Sequence, residues 1–273
     1  MELRKAILWT ITWITLSFIL NVIIYFTFGY KPAIEFLTGY LIEESLSIDN
    51  LFVFLYFFKV FGFESSKQRR ILNWGIFGVI ILRGIFIYVG ATLISNFYWI
   101  LYIFGAILIY SGFHMIFGKE KELHPERNPI IKYFKKFYPI KTDYEGKKFF
   151  IRENKILYAT PLFIVLLVIE TTDVVFAIDS IPAIFAITQD PLIVFSSNMM
   201  AVLGLRSLYF VLEHIQKIFI YVKYGVGLVL IFVGFKMLVE NIIHIGTTTS
   251  LFVVVTILFL SVLSSYIIPS EKK

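Results

Sequence analysis

Eight long apolar runs limit the possible folds of this chain more than any other feature. Each run is long enough for a helix of about 20 residues to cross a bilayer. Hydrophobic residues make up 58% of the sequence, which places the chain among integral membrane proteins. We therefore expect an all-α integral membrane protein, with residues 1–273 forming a single transmembrane domain of about eight helices. The runs lie near residues 6–28, 33–58, 71–94, 97–117, 156–179, 191–212, 218–239 and 249–268.

Basic residues are distributed unevenly among the loops that would connect these spans. If the spans alternate in direction, twenty of the 25 Lys and Arg residues fall on one side of the membrane and only Lys31 falls on the other. Because basic loops stay in the cytoplasm, we expect cytoplasmic N- and C-termini, a cytoplasmic linker at 118–155, and insertion in a bacterial inner (plasma) membrane. The formal net charge of +6 then reflects membrane topology, and nucleic acid is not an expected partner.

Three motifs in the first half of the chain recur in the second half at nearly constant spacing. The offsets are 124, 123 and 122 residues, which indicates a duplicated unit. Each copy contains three spans, and an odd number of spans reverses the second copy in the membrane. We therefore expect two inverted three-helix repeats, spans 2–4 at 33–117 and spans 5–7 at 156–239, followed by a C-terminal helix at 249–268. The matched segments are Ser47 to Asn50 with Thr171 to Val174, Leu82 to Phe86 with Leu205 to Tyr209, and Gly105 and Gly112 with Gly227 and Gly234.

Span 2 carries five polar side chains within eight residues of an otherwise apolar run, and these are Glu43, Glu44, Ser47, Asp49 and Asn50. Carboxylates are costly in hydrocarbon and are typical of ion pathways. On a regular helix with about 100° per residue, Glu44 and Asp49 point about 140° apart. Either the helix unwinds locally, as discontinuous transporter helices do, or one carboxylate faces a partner such as an arginine.

Span 5 carries a second acidic group formed by Glu170, Asp173 and Asp179. The first two are three residues apart and share a helix face, whereas Asp179 does not lie on that face. Pro182 lacks an amide hydrogen, so we expect the helix to end or kink near Asp179. Carbonyl oxygens released there, beside a carboxylate, would suit a hard cation.

Arg83 in span 3 and Arg206 in span 6 occupy equivalent positions of the two copies. They either hold the spans together by pairing with surplus carboxylates, or act as mobile counter-charges that release the carboxylates when a cation binds. Asn198 in span 6 either adds a neutral oxygen ligand or bridges two helices.

Oxygen atoms dominate the polar groups of these spans, and the chain contains no cysteine. Carboxylate, amide, hydroxyl and carbonyl oxygens select Mg²⁺, Ca²⁺ or Mn²⁺ over copper and zinc. The carboxylates exceed what one divalent ion needs, so either two ions bind or some carboxyl groups exchange protons for metal. The sequence has no phosphate-binding loop, nucleophile elbow or zinc motif. We therefore expect neither enzyme activity nor a permanently bound cofactor.

Two segments, Glu44 to Asn50 and Glu170 to Pro182, closely resemble the two signature motifs of the TerC family of integral membrane proteins. The resemblance extends from about residue 33 to residue 240. The family is named for tellurite resistance, and its better-understood bacterial members are similar to manganese exporters of the lysine-exporter superfamily. The resemblance implies Mn²⁺ efflux, with Ca²⁺ as a second cation, through an acidic site. It assigns that site to Glu44, Asp49, Asn50, Glu170, Asp173 and Asp179, supported by Ser47, Arg83, Asn198 and Arg206.

A second interpretation of the same motifs is a membrane scaffold or assembly factor linked to metal or tellurite stress. The acidic groups would then be structural ion pairs with the arginines. Five core carboxylates on spans 2 and 5, not counting Glu43, face two core arginines. A scaffold need not carry this surplus, which favours transport, most simply by proton-coupled antiport of a divalent ion across the lipid bilayer.

Overall fold

The computed structural model describes residues 3–118, 139–141, 146–153, 155–215 and 221–267, without the side chains of Asp49, Val60 and Ile215. These ranges contain eight long helices, which confirms the predicted all-α membrane architecture. The predicted linker 118–155 lies largely outside the described residues. The helices are α1 (Leu3–Phe28), α2 (Tyr30–Val60), α3 (Ser65–Asn96), α4 (Ile100–Phe117), α5 (Pro161–Phe185), α6 (Pro191–Ile215), α7 (Val222–Val239) and α8 (Thr247–Ile267).

Seven of the eight described helices are long and apolar enough to cross a membrane. The exception is α2, whose 31 residues include the polar segment of the first acidic motif. Large hydrophobic side chains are exposed along α1, α3 and α8, where lipid would cover them. Helix α2 instead places its polar groups among the other helices, where Glu43, Ser47 and Asn50 are buried.

A short hairpin precedes α5 and was not expected from the sequence. Strands β1 (Phe150–Glu153) and β2 (Ile156–Ala159) pair in antiparallel register. The predicted start of the fifth span at residue 156 is therefore wrong, because the apolar residues of β2 belong to the hairpin and the helix begins at Pro161. Proline suits this first helical position because the amide it lacks would have no partner inside the helix.

The fifth helix does not end near Asp179, which excludes one of the two outcomes expected from Pro182. Helix α5 continues through Pro182 to Phe185. Residues 180–185 are all buried, so packing against neighbouring helices holds the helical path that proline alone would weaken. Transmembrane helices tolerate proline for this reason. Asp179 consequently lies on a continuous helix.

Helices α4 and α7 cross at four glycines in two reciprocal pairs. A Cβ atom on Gly112 would lie 2.5 Å from the carbonyl oxygen of Gly227, and one on Gly234 would lie 2.6 Å from that of Gly105. The pairing order makes the two helices antiparallel. Equivalent positions of the two proposed copies thus contact each other crosswise, as a twofold relation requires. Inverted duplication remains a prediction, and this contact is consistent with it.

We expect Gly112→Ala to destabilise the protein, because the added methyl group would meet the backbone of α7. Overpacking of this kind costs about 1–3 kcal/mol. The free energy of unfolding of the purified protein in detergent would measure it. Gly246→Ala is the matched control, since a Cβ atom there has nothing within 4 Å. Equal unfolding free energies for the two variants would contradict a close helix crossing.

Candidate functional site

Arg83 lies at the centre of the helix bundle with no solvent exposure. Its guanidinium donates two hydrogen bonds to Asp173, from Nη2 to Oδ1 at 2.9 Å and from Nε to Oδ2 at 3.2 Å. A third bond runs from Nη1 to the carboxylate of Glu43, which is also fully buried. One cation on α3 therefore joins a carboxylate on α2 to a carboxylate on α5.

Three neutral side chains complete the polar network around this ion cluster. Asn198 on α6 donates from Nδ2 to Glu43 Oε2 at 2.8 Å and accepts from Arg83 Nη1 at 3.3 Å. Ser47 donates to Glu43 Oε1 at 3.2 Å, and Ser180 accepts from Arg83 Nη1 at 3.4 Å. Buried charges are tolerated only when paired and hydrogen-bonded, and these three groups supply most of the remaining bonds.

The predicted arginine partner of span 2 exists, but the carboxylate that meets it is Glu43. Helix α2 is continuous through the polar segment, so local unwinding is not observed. Glu43 and Ser47 are four residues apart and share one helix face. That spacing, with Asn50 on the same stripe, is the signal by which the sequence could have identified Glu43.

Two of the predicted metal ligands, Asn50 and Asp179, line one cavity of about 330 Å³. Asn50 is 1% exposed, and its Oδ1 atom has no hydrogen-bond partner among the described residues. Asp179 Oδ1 accepts a 2.6 Å hydrogen bond from Ser111 on α4. The same cavity is also bordered by Ser180, Tyr110, His114 and Met115.

Ser180 connects this cavity to the central network. Its hydroxyl group lines the cavity and also accepts the hydrogen bond from Arg83. The guanidinium is therefore one hydrogen bond away from the cavity surface. A cation that entered the cavity would meet oxygen ligands first and a fixed positive charge immediately behind them.

Glu44 and Glu170 do not lie with this network. The Glu44 carboxylate faces α6, where a Cβ atom on Gly204 would lie 3.9 Å from Oε1. Glu170 packs against α3 so closely that a Cβ atom on Gly78 would overlap its carboxylate. Each glutamate has one buried oxygen without a hydrogen-bond partner in the described structure. These two carboxylates point to different sides of the bundle.

Arg206 departs from the role expected of a second core arginine. It is partly exposed and donates a 2.7 Å hydrogen bond to Asn73. No carboxylate partner is described for it. Asp49 lies within α2, and its side chain is outside the described part of the structure.

The five predicted metal ligands whose side chains are described therefore fall into separate places. Asp173 binds Arg83, Asn50 and Asp179 share a cavity, and the two glutamates lie apart. Among the described residues, no three His, Asp or Glu side chains form a group that would hold a metal ion. The single metal centre remains a prediction, and the cavity is where two of the predicted ligands, Asn50 and Asp179, lie together.

Comparison with known proteins places the chain among membrane proteins of related sequence. An Escherichia coli K12 protein is 42% identical over 269 residues, covering 96% of this chain and 84% of the relative. Its name describes a candidate membrane-bound redox modulator, Alx. The Alx protein of Salmonella typhi is 44% identical, covering 94% of this chain and 83% of its own length. The membrane protein STKORF319 of Myxococcus xanthus is 39% identical, covering 97% of this chain and 83% of its own length.

No solved structure matches the chain significantly. The model of the integral membrane protein TerC family matches residues 28–273. That range contains both acidic motifs, Arg83 and the crossing glycines described above. This chain belongs to the TerC family of integral membrane proteins.

Proposed function

We propose that this protein exports Mn²⁺ across the membrane in exchange for protons. The observation that carries the proposal is the cavity that Asn50 and Asp179 share. Both residues come from the two acidic motifs, one from each half of the chain. An unpaired amide oxygen beside a carboxylate is a partial coordination shell for a hard cation.

The donor atoms around the cavity favour Mn²⁺ within the class of hard cations. Carboxylate, amide and hydroxyl oxygens suit Mg²⁺, Ca²⁺ and Mn²⁺ alike. His114 and Met115 add an imidazole and a thioether at the cavity wall. Of the three ions, Mn²⁺ accepts such nitrogen and sulfur ligands most readily, and Ca²⁺ remains the second candidate that the same assay would test.

Arg83 closes the route beyond the cavity in this arrangement of the helices. Its positive charge lies behind Ser180, where it repels a cation that moves deeper. Transport then requires a second arrangement in which Asp173 or Glu43 turns from the guanidinium toward the ion. The shared hydrogen bond to Ser180 gives the ion site a direct connection to this ion cluster.

The proposal assigns the exchanged protons to Glu44 and Glu170. Both carboxyl groups are in membrane-spanning helices, and each has a buried oxygen without a partner in the described residues. An isolated buried charge is costly, so a proton is the natural counter-ion for a carboxylate in such surroundings. No covalent chemistry is part of the cycle, and the protein is proposed to be a transporter and not an enzyme.

The names of the Alx relatives refer to redox modulation, and that role belongs to those proteins. This chain contains no cysteine, so it has no thiol with which to exchange disulfides. A redox effect of a protein like this one would follow from a change in metal concentration. Manganese export and an influence on redox state are therefore compatible.

A scaffold without transport is the second candidate, and one observation favours it. Arg83 is paired with two carboxylates and bonded to Asn198 and Ser180, as a purely structural joint would be. A scaffold would not need the cavity beside this ion cluster. Measurement of transport separates the two functions.

We further propose a bacterial cytoplasmic membrane with both chain termini inside the cell. The hairpin of β1 and β2 would then be cytoplasmic, and the loop between α5 and α6 would be external. Support comes from the uneven distribution of Lys and Arg residues, because basic loops stay inside.

Single cysteines would test this orientation on a clean background, since the natural chain has none. We expect Gln189→Cys to react with a membrane-impermeant maleimide in intact spheroplasts. Arg152→Cys, on the hairpin, should react only after the membrane is permeabilised. Both positions are exposed, so the opposite labelling pattern would reverse the proposed orientation.

We expect Asp179→Asn to reduce Mn²⁺ export by about tenfold or more, the scale of loss when a metal-site contact is removed. Cells that express the wild type should contain less Mn²⁺ under manganese stress than cells without it, and the variant should lose this difference. Elemental analysis of washed cells measures the content. Glu153→Gln, an exposed carboxylate in the hairpin, is the matched control.

Membrane abundance of each variant must be measured in parallel. If Asp179→Asn reaches the membrane and exports as well as the wild type, this cavity is not the ion site. If the wild type itself leaves cell Mn²⁺ unchanged yet protects cells from metal or tellurite stress, the scaffold function is supported and export is contradicted.

We expect Arg83→Met to destabilise the protein by about 3–5 kcal/mol, because it leaves Glu43 and Asp173 buried without their counter-charge. Arg206→Met is the matched control at the equivalent position. Its loss should stay below about 1.5 kcal/mol, since it breaks one hydrogen bond of a partly exposed group.

Adding Glu43→Gln and Asp173→Asn to Arg83→Met should recover most of the lost stability. Burial of a neutral set costs less than burial of unpaired charges. Unfolding in detergent measures all of these variants. Additive losses in the triple variant would show that the three side chains do not act as one cluster.

A further inference from the structure

A second cavity, of about 490 Å³, lies at the end of the bundle opposite the Asn50 and Asp179 cavity. It is surrounded by the start of α2, the loop from α5 to α6, the end of α7 and the start of α8. In the proposed orientation this end faces the cell exterior. We call it the outer vestibule, and its charged and titratable lining residues are Lys31, Glu35, Asp190, Lys236, Glu240 and His244.

Lys236 on α7 is the unusual member of this lining. It is 3% exposed, yet it borders the vestibule. Within the described residues it has no hydrogen bond or ion pair, although the charges of Glu240 and Glu35 attract it electrostatically. The sequence alone favours a lysine that reaches the membrane interface. The structure instead places its side chain in the vestibule wall, where burial opposes the charged form and the Glu240 and Glu35 carboxylates favour it.

Each carboxylate of the vestibule already has a partner other than Lys236. Glu35 is 7% exposed, and its Oε2 accepts a 2.7 Å hydrogen bond from Thr188 while Oε1 lies 3.9 Å from Lys31. Glu240 contacts His244 at 2.6 Å, and Asp190 accepts a 2.9 Å hydrogen bond from the amide of Leu192. Lys236 therefore balances the field of these groups without being bound to any of them.

Two kinds of ion could interact with a vestibule that contains an unpaired ammonium group. An anion would pair with it directly, but three carboxylates line the same cavity and would repel a second negative charge. A cation attracted by those carboxylates would instead compete with Lys236 for the same negative field. The charge balance of the lining favours the second case.

We propose that Lys236 acts as a tethered cation that keeps divalent metal ions out of the outer vestibule. It is a selectivity-determining residue of the external face. With Lys236 charged, the three carboxylates face two ammonium groups, and a divalent ion gains little by entering. When Lys236 is neutralised, the three carboxylates face only Lys31, and the vestibule becomes a binding site for Mn²⁺ or Ca²⁺.

For an exporter, this arrangement would oppose the return of the released ion. That consequence rests on the proposed function, whereas the repulsion of cations by Lys236 does not. The position equivalent to Lys236 in the first half of the chain is His114, which lines the inner cavity. The two halves therefore carry different side chains at this position, an imidazole at the inner cavity and an ammonium group at the outer vestibule.

The test compares Lys236→Gln with the charge-preserving variant Lys236→Arg in purified full-length protein. Titration calorimetry with MnCl₂ would measure binding. We expect Lys236→Gln to gain a Mn²⁺ site, or to bind about tenfold more tightly, and Lys236→Arg to match the wild type. Adding Glu35→Gln to Lys236→Gln should abolish the gain, because it removes one of the attracting carboxylates.

A second measurement serves if Lys236→Gln does not fold. In cells that export Mn²⁺, external Mn²⁺ should inhibit Glu240→Gln less than the wild type, since this variant loses a vestibule carboxylate and keeps Lys236. Where Lys236→Gln does fold, it should be inhibited at about tenfold lower external Mn²⁺.

The outcomes separate the two proposals. If Lys236→Gln, Lys236→Arg and the wild type bind Mn²⁺ alike, or if Glu240→Gln is inhibited like the wild type, the tethered-cation role is overturned while export can stand. If the wild type does not export at all, the gain of a Mn²⁺ site in Lys236→Gln still supports this role, because it is measured without transport.

Discussion

The cost of placing charge in hydrocarbon decides how this bundle is assembled. Arg83 cannot be buried alone, and neither can Glu43 or Asp173. Together they form a cluster in which one planar guanidinium donates to two carboxylates. Because the three residues come from α3, α2 and α5, satisfying their charges also fixes how the two halves of the chain meet. Apolar side chains pack around this ion cluster.

Small residues let neighbouring helices of the bundle approach each other closely. Gly78 on α3 leaves room for the carboxylate of Glu170, and Gly112 and Gly227 bring α4 and α7 into backbone contact. In a membrane, water exclusion between helices contributes little, so close packing and interhelical hydrogen bonds carry the association. The same close approach of α4 places Ser111 beside Asp179. Helix packing and the Asn50 and Asp179 cavity are therefore parts of one arrangement.

The sequence predicted the helices well because their apolar length is a direct physical requirement of the bilayer. Of the two alternatives it left for span 2, local unwinding or a carboxylate that faces an arginine, the structure shows the second. The sequence did not identify Glu43 as that carboxylate, since Glu43 and Glu44 are neighbours and only the rotation of α2 distinguishes them. Pro182 does not end α5 because tertiary packing outweighs its local effect. Arg206 differs from Arg83 because the equivalent position is partly exposed. The hairpin was missed because β2 continues the apolar run of α5.

The two cavities make the two ends of the bundle different, although the two halves of the chain are similar in sequence. Equivalent positions on α4 and α7 carry His114 and Lys236, each at the wall of a cavity at opposite ends. In the proposed function the Arg83 cluster is the barrier behind the inner cavity, because Ser180 borders that cavity and accepts a hydrogen bond from the guanidinium. An antiparallel pair of similar halves would treat both sides of the membrane alike. For the proposed export, direction must then come from side chains that differ between equivalent positions, and His114 against Lys236 is such a difference.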